Sequence, residues 1–431
     1  MVKFFVLFLL VVAPFAQAQT YSLNTLLRIA DTSNFTLKNM KYDQAITAHQ
    51  RSIYLSGRFP KVNFTGDYRY NALIPAQIIP ADFFGGPSGT FAQVKFGVPF
   101  NLSNSIQLTQ FLYNSQLSYG LSALAIAARV TEIQETIAQQ EIRHQIATTF
   151  FSIQALEKQK KYLVKNQENL NNLIKNMEVM QQQGLVLPVD IEKIKINKIS
   201  LNSNMLSIEN TEKKLQQYLG ILVGLPEKST FDLEEDQILA SQTIVDLSTT
   251  KRPELALLEA QKELNVEELR GTKMAYLPNL SFYASYNYNY NIMPEKDFRT
   301  GIPSSFIGLH LDWNLFDGLE KRNKIKINGY NREKLENQEI QLKSQLQLAT
   351  ENAKRDIDLQ MENLRLNEEQ LVLANQIYQT TLAQFNAGTV STSELLDTDN
   401  RKQLAESNVI GAYLQLRLAE IAYLKSLSQI K

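Results

Sequence analysis

Two hydrophobic periods alternate along this chain, and each returns. From Tyr113 to about Gln183 apolar residues recur at helical spacing. Leu163, Leu170 and Met177 stand seven apart, as do Leu173 and Met180, with Asn166 one step earlier in that second series. The stretch holds no proline and a single glycine, Gly120. A continuous helix here would rise on the order of 100 Å at 1.5 Å per residue. That exceeds ordinary globular packing and fits a coiled-coil-like bundle. The segment from about Gly318 to Ala387 behaves the same way, with Leu364, Leu371, Tyr378 and Phe385 at sevens. Gln, Asn, Lys and Glu fill the remaining positions, so both helices carry a wide wet face.

Four short segments instead alternate with period two. In the first, Val62, Phe64, Tyr68 and Tyr70 oppose Asn63, Thr65, Asp67 and Arg69. The second, about 102–112, is the weakest, because Asn104 and Gln110 fall on its apolar side. In the third, Leu280, Phe282, Ala284, Tyr286, Tyr288 and Tyr290 oppose Ser281, Tyr283, Ser285, Asn287 and Asn289. In the fourth, Ile307, Leu309, Leu311, Trp313 and Leu315 oppose Gly308, His310, Asp312 and Asn314. Segments of roughly ten alternating residues are what a transmembrane strand requires, and Tyr and Trp suit the headgroup girdle. Alternation alone fits equally a small soluble sheet packed on helices. The connections at about 72–101 and 292–304 read as surface loops.

The landmarks recur in order. Phe59-Pro60 with Phe64, Tyr68, Tyr70 and Asn71 returns as Leu277-Pro278 with Phe282, Tyr286, Tyr288 and Asn289. Gly184 with Asp190-Ile191 returns as Gly388 with Glu394-Leu395. A period of about 200 residues is far too long for a solenoid unit and reads as a duplicated half-protein. The expected organisation is a signal peptide over 1–18, a first repeat over 19–235 and a second over 236–431, each with a helix, two strands and a long helical hairpin.

Composition and address sharpen this picture. Lys3, the apolar run Phe4 to Val12 and Ala16-Gln17-Ala18 form a secretory signal with an A-x-A cleavage site. The chain has no cysteine, hence no disulfide, thiolate metal site or thioether lipid anchor. Lys plus Arg and Asp plus Glu both number 44, so bulk charge predicts no nucleic-acid partner. No later stretch is apolar enough for a membrane helix, so membrane entry would require a closed β-barrel. Four strands cannot close one. Their open edges would pair with other copies, and three copies would give twelve strands.

These residues resemble the TolC family of outer-membrane efflux proteins over essentially the whole mature chain. The resemblance rests on the lead-ins Phe59-Pro60 and Leu277-Pro278, on Trp313-Asn-Leu-Phe-Asp-Gly318, on Arg252-Pro253-Glu254-Leu255 and on the turns at Gly184 and Gly388. It implies a mainly α fold with a small β part. Long antiparallel coiled-coil-like helices would form a periplasmic α-barrel, and four strands per chain would form the twelve-strand outer-membrane barrel of a homotrimer. The implied partners are a periplasmic adaptor, an inner-membrane RND or ABC transporter and outer-membrane lipid.

The hairpin turns carry the candidate chemistry. Gly184 and Gly388 each fit a left-handed helix C′ position. Pro188 suits a first helical position, and Ser391-Thr392-Ser393-Glu394 fits a capping box. Glu394 and Asp397 share one helix face. The resemblance aligns them with acidic residues that ring a constricted tunnel mouth, where such a ring favours cations. The competing reading gives both only roles at the helix N-terminus. Asp190 holds the matching place on the first hairpin. In the family an aspartate there meets a tyrosine and an arginine of the second tip, but those positions here are Phe385 and Val390, so the latch must differ. Val186, Leu187, Thr389 and Val390 either dock an adaptor or pack the tips together.

No enzymatic constellation emerges. His49, His144 and His310 are scattered, and no Walker A loop or HExxH occurs. No cofactor or metal is expected. The function expected is a passive exit duct of a tripartite efflux or type I secretion system; the alternative is a structural or adhesive coiled-coil fibre without a lumen.

Overall fold

The structure, a computed structural model, describes residues 20–226, 231–234 and 252–430. The expected signal peptide and the expected junction of the two repeats lie outside the described residues. The element order is β1 (Thr20–Tyr21), α1 (Leu23–Ser33), α2 (Phe35–Leu55), β2 (Lys61–Tyr70), β3 (Ala76–Pro80), β4 (Phe91–Lys95), β5 (Phe100–Tyr113), α3 (Ser115–Gln182), α4 (Pro188–Val223), β6 (Asp232–Leu233), α5 (Pro253–Met274), β7 (Asn279–Met293), β8 (Phe298–Asp312), α6 (Glu320–Asn386) and α7 (Thr392–Ser426). The order helix, two long strands, long helix and return helix thus occurs twice. Helices α3 and α6 run unbroken for 68 and 67 residues. Among the described residues no helix is long and apolar enough to cross a membrane.

The chain divides into two compact units. One comprises residues 44–130 and 259–336 and contains a four-stranded antiparallel sheet in the order β2-β5-β7-β8. Its register sorts side chains into two faces. Val62, Leu108, Ala284 and Ile307 align across the four strands on one face, and Phe64, Ile106, Tyr286 and Ser305 form the next such row. The opposite face carries rows such as Thr65, Ser105, Asn287 and Ser304. On this polar face Asn101 Nδ2 donates to Asn291 Oδ1 at 2.8 Å, and Ser103 bridges Asn101 and Asn289. Val62, Phe64, Ile307 and Leu309 remain exposed on the apolar face.

Two details differ from expectation. The third and fourth strands extend through most of the expected 292–304 loop, leaving only a 3-10 turn, Pro294–Lys296, closed by Asp297 in the left-handed region at φ 47°. Alternation is hard to see there because Gly301 and Pro303 interrupt it. The expected 72–101 loop contains a two-stranded hairpin of its own, β3 paired with β4. At the sheet's other end the sequence landmarks touch, since Trp313 Nε1 donates to the Tyr276 carbonyl at 3.0 Å and Lys321 Nζ lies 5.1 Å from the Tyr276 ring centre.

The second unit comprises residues 1–43, 131–258 and 337–431, and its described residues form helices apart from the short parallel pair β1–β6 and the connections between elements. Its main core gathers Leu26, Ile146, Phe150, Phe151, Leu219, Val223 and Ile421, all essentially solvent-free. A second apolar cluster forms next to the hairpin turns from Leu170, Leu173, Met177, Ile191, Ile194, Leu201, Tyr378, Phe385 and Leu395. The heptad residues seen in the sequence supply its α3 and α6 members, as spacing by sevens demands of a helix seam.

Candidate functional site at the hairpin turns

Both hairpins turn by one device. Gly184 and Gly388 have φ of 76° and 74°, and nothing lies within 4 Å of where a Cβ would sit. The Leu185 amide donates to the Met180 carbonyl at 3.0 Å, and the Thr389 amide to that of Gln384 at 3.0 Å. These are the six-to-one bonds of a left-handed helix cap. The return helices then start differently. Pro188 opens α4 at a first-turn position where a missing N–H costs nothing, and Leu187 before it has no side-chain acceptor to cap the helix. In α7 the Ser391 hydroxyl accepts the Glu394 amide at 3.2 Å, the first half of the expected capping box.

The acidic residues occupy three settings. Glu394 is exposed in the first turn of α7. Asp397, one turn on, is exposed and pairs with Arg401 Nε at 2.7 Å. Asp190 pairs with Lys193 Nζ at 3.0 Å, and the same ammonium donates to Ser393 Oγ at 3.4 Å, linking the first hairpin to the second. Lys193 and Arg401 carry counter-charges absent from the sequence-based site, although their i,i+3 and i,i+4 spacing is a signal that could have found them.

The apolar tip residues divide. Val186 and Val390 are partly buried against the Leu170–Leu395 cluster, where Phe385 is buried. The two positions that depart from the family's polar latch therefore belong to one apolar cluster. Leu187 remains 65% exposed and Leu185 67%, so the first turn offers apolar surface to solvent. Thr389 is exposed, and its hydroxyl donates to the Gln384 carbonyl at 3.0 Å.

Further along the hairpins lies a feature that sequence reasoning missed. Lys402, Glu406 and Asp399 of α7, Asn166 of α3 and Tyr378 of α6 are all buried. Asn166 Nδ2 donates to Glu406 Oε2 at 2.7 Å, Lys402 Nζ lies 3.6 Å from Glu406 Oε1, and Lys402 Nζ donates to Asn166 Oδ1 at 3.4 Å. The ammonium also stands 4.8 Å from the centre of the Tyr378 ring. Asp399 accepts from Gln403 Nε2 at 2.7 Å. Burial raises the Asp399 carboxyl above its usual range despite that bond and the nearby Lys402, and burial pushes Tyr378 up to about 12. These polar groups join the first hairpin to the second through charge-assisted hydrogen bonds inside an otherwise apolar seam. Among the described residues no group of His, Asp and Glu is arranged to hold a metal ion.

Comparison with known proteins gives a consistent answer. Residues 244–428 match the model of the outer membrane efflux protein family. No curated protein matches the chain. Among solved structures, the outer-membrane channel OprN aligns at a TM-score of 0.74 and 15% identity, over 94% of this chain and 90% of that one. The outer membrane protein VceC of Vibrio cholerae aligns at 0.73 and 13%, over 94% and 96%. The CmeC outer membrane channel of Campylobacter jejuni aligns at 0.74 and 13%, over 94% and 85%. At such identities the structures establish the fold, while the match of residues 244–428 to the outer membrane efflux protein family model agrees with the resemblance of the chain to TolC proteins.

Proposed function

We infer that the protein is the outer-membrane exit duct of an efflux or type I secretion system. One observation carries the reading: strands forming a four-stranded sheet, apolar on one face and amide- and hydroxyl-lined on the other, are followed in the chain by helices of 68 and 67 residues, and residues 244–428 match the outer membrane efflux protein model. Strands β2 and β8 end the sheet without strand neighbours among the described residues. In lipid such edges must pair, and three copies would close a twelve-strand barrel with its polar face lining a wet lumen. Cargo would pass without chemistry, driven by an inner-membrane RND or ABC pump, with an adaptor acting at the hairpin turns. Because the chain has no native cysteine, cysteines at Thr65 of β2 and Ser304 of β8 give a clean test. A bifunctional thiol reagent should then yield a covalent ladder ending at three chains. Monomers alone, in protein that has inserted into membranes, would refute edge closure.

Within this reading the two repeats are structural equivalents, and the turn of the second hairpin is the narrow mouth. Glu394 and Asp397 supply its charge, reduced at Asp397 by Arg401. Asp190 acts through Lys193 as a tie between the hairpins. Leu187 and Thr389 face the adaptor, whereas Val186 and Val390 hold the tips together. Glu394→Gln with Asp397→Asn should move the reversal potential in a potassium chloride gradient toward zero. An unchanged potential would remove the acidic ring from the account.

A further inference from the structure

The β3–β4 hairpin is built unlike a loop that lives in water. Between Ala72 and Pro99 the only ionisable side chains are Asp82 and Lys95. Leu73 is 92% exposed, Phe83 78% and Phe91 71%, with Ile78, Phe84 and Phe96 also open. The tip is nevertheless ordered by hydrogen bonds. The Ala81 amide donates to the Thr90 carbonyl at 2.8 Å, the Gly86 amide to that of Ala81 at 2.9 Å, and the Thr90 hydroxyl to that of Pro87 at 2.7 Å. Asn71 pins the base, its amide to the Pro99 carbonyl at 2.7 Å and its Nδ2 to that of Val98 at 2.9 Å. A fixed hairpin thus presents phenylalanines outward. The β7–β8 turn, at the same end of the same sheet, is short and carries Glu295, Lys296 and Asp297. Its charge shows that a loop at this end can be fully hydrated, so the apolar hairpin has a contact of its own.

We propose that the β3–β4 hairpin anchors the protein in a lipid surface, its phenylalanines seated at the boundary of headgroups and acyl chains. Continuity with the lipid-facing side of the sheet favours this occupant. The last two apolar residues of β2, Tyr68 and Tyr70, pack against Phe100 of β5 at ring distances of 6.2 and 4.8 Å and form an aromatic end to that face. The hairpin leaves and rejoins the sheet at these residues, and its strands reach about 17 Å at 3.3 Å per residue. Aromatic residues are favoured at membrane interfaces, and exposed apolar patches of this kind mark a contact surface. Its apolar side chains occur at the base, along the strands and at the tip, as immersion requires. The inference rests on the sheet lying in an outer membrane.

Tryptophan fluorescence in proteoliposomes of phosphatidylcholine with brominated acyl chains tests it. Trp313, the only native tryptophan, directly follows the last residue of β8, is exposed and reports insertion. Phe84→Trp in a Trp313→Phe background reports the hairpin. Should that background fail to fold, Phe84→Trp is read after subtracting the native spectrum. Brominated lipid should quench the indole introduced by Phe84→Trp, while a Glu295→Trp control in the charged turn is quenched by aqueous iodide instead. Quenching of the hairpin indole by iodide alone would overturn the proposal in favour of a hydrated loop. Its protection from both quenchers would overturn the proposal in favour of hairpins from several copies packing together. Failure of Trp313 itself to respond to brominated lipid would instead strike the outer-membrane reading.

Discussion

Lys402→Met isolates what the buried polar seam contributes to keeping the hairpins together. The native ammonium lies 3.6 Å from Glu406, with both side chains 6% exposed, and it also meets Asn166 and the Tyr378 ring. Methionine keeps the stem and removes the charge, leaving Glu406 buried with Asn166 as its remaining partner. Removing one partner of a buried pair costs about 3–5 kcal/mol. At 1.4 kcal/mol per tenfold change, local opening should rise by roughly two to three and a half orders of magnitude. Hydrogen exchange at the α7 amides around residues 399–406 reads this directly, because those amides exchange through local opening. Lys402→Met combined with Glu406→Gln removes both charges and retains an acceptor for Asn166, so most of the protection should return. If the double variant exchanges as fast as the single one, lost packing rather than an unpaired charge is the cause, and the electrostatic account of the seam is wrong.

Other expectations follow from the same geometry. Burial raises the Asp399 carboxyl, so the folded chain holds that proton more tightly than the unfolded chain; the group's contribution is full below its unfolded pKa and is lost as pH rises through the raised folded value. Asp399→Asn should therefore match the native protein in acid and exceed its stability at neutral pH, as read by urea unfolding at both; equal loss at both pH values would contradict this. Leu309→Lys places a charge on the apolar face opposite Phe282, at about 2–4 kcal/mol near mid-bilayer, and should reduce heat-modifiable oligomers in membranes. Gly388→Ala meets no neighbour but must hold φ near 74°, so its penalty should be backbone strain of about 1–2 kcal/mol, seen as faster exchange confined to the turn.

Much of the architecture is readable from the chain because two periods encode it. The strands alternate with period two, and pairing Phe282 with Leu309 and Phe64 with Ile106 confirms which side of each is apolar. Gly184 and Gly388 are legible because a left-handed cap leaves few other choices. The buried seam is not. Asp399, Lys402 and Glu406 are spaced three and four apart, which on a helix reads as a solvated charged stripe; only packing against α3 and α6 encloses them. The β3–β4 hairpin is hidden because Pro75, Pro80 and three glycines from 85 to 89 break its alternation into pieces too short to count. Arg401 and Lys193 sit in plain view, but their pairing with Asp397 and Asp190 depends on rotamers that sequence does not fix.

The central claim is that this chain forms a conduit, and single-channel recording of the purified mature protein in planar bilayers addresses it most directly. The account predicts insertion with discrete, cation-selective current steps, small in the native protein and larger in Lys402→Met, whose hairpins are less firmly tied. Folded, helical protein that neither inserts nor passes current would contradict the duct and favour a lumenless fibre.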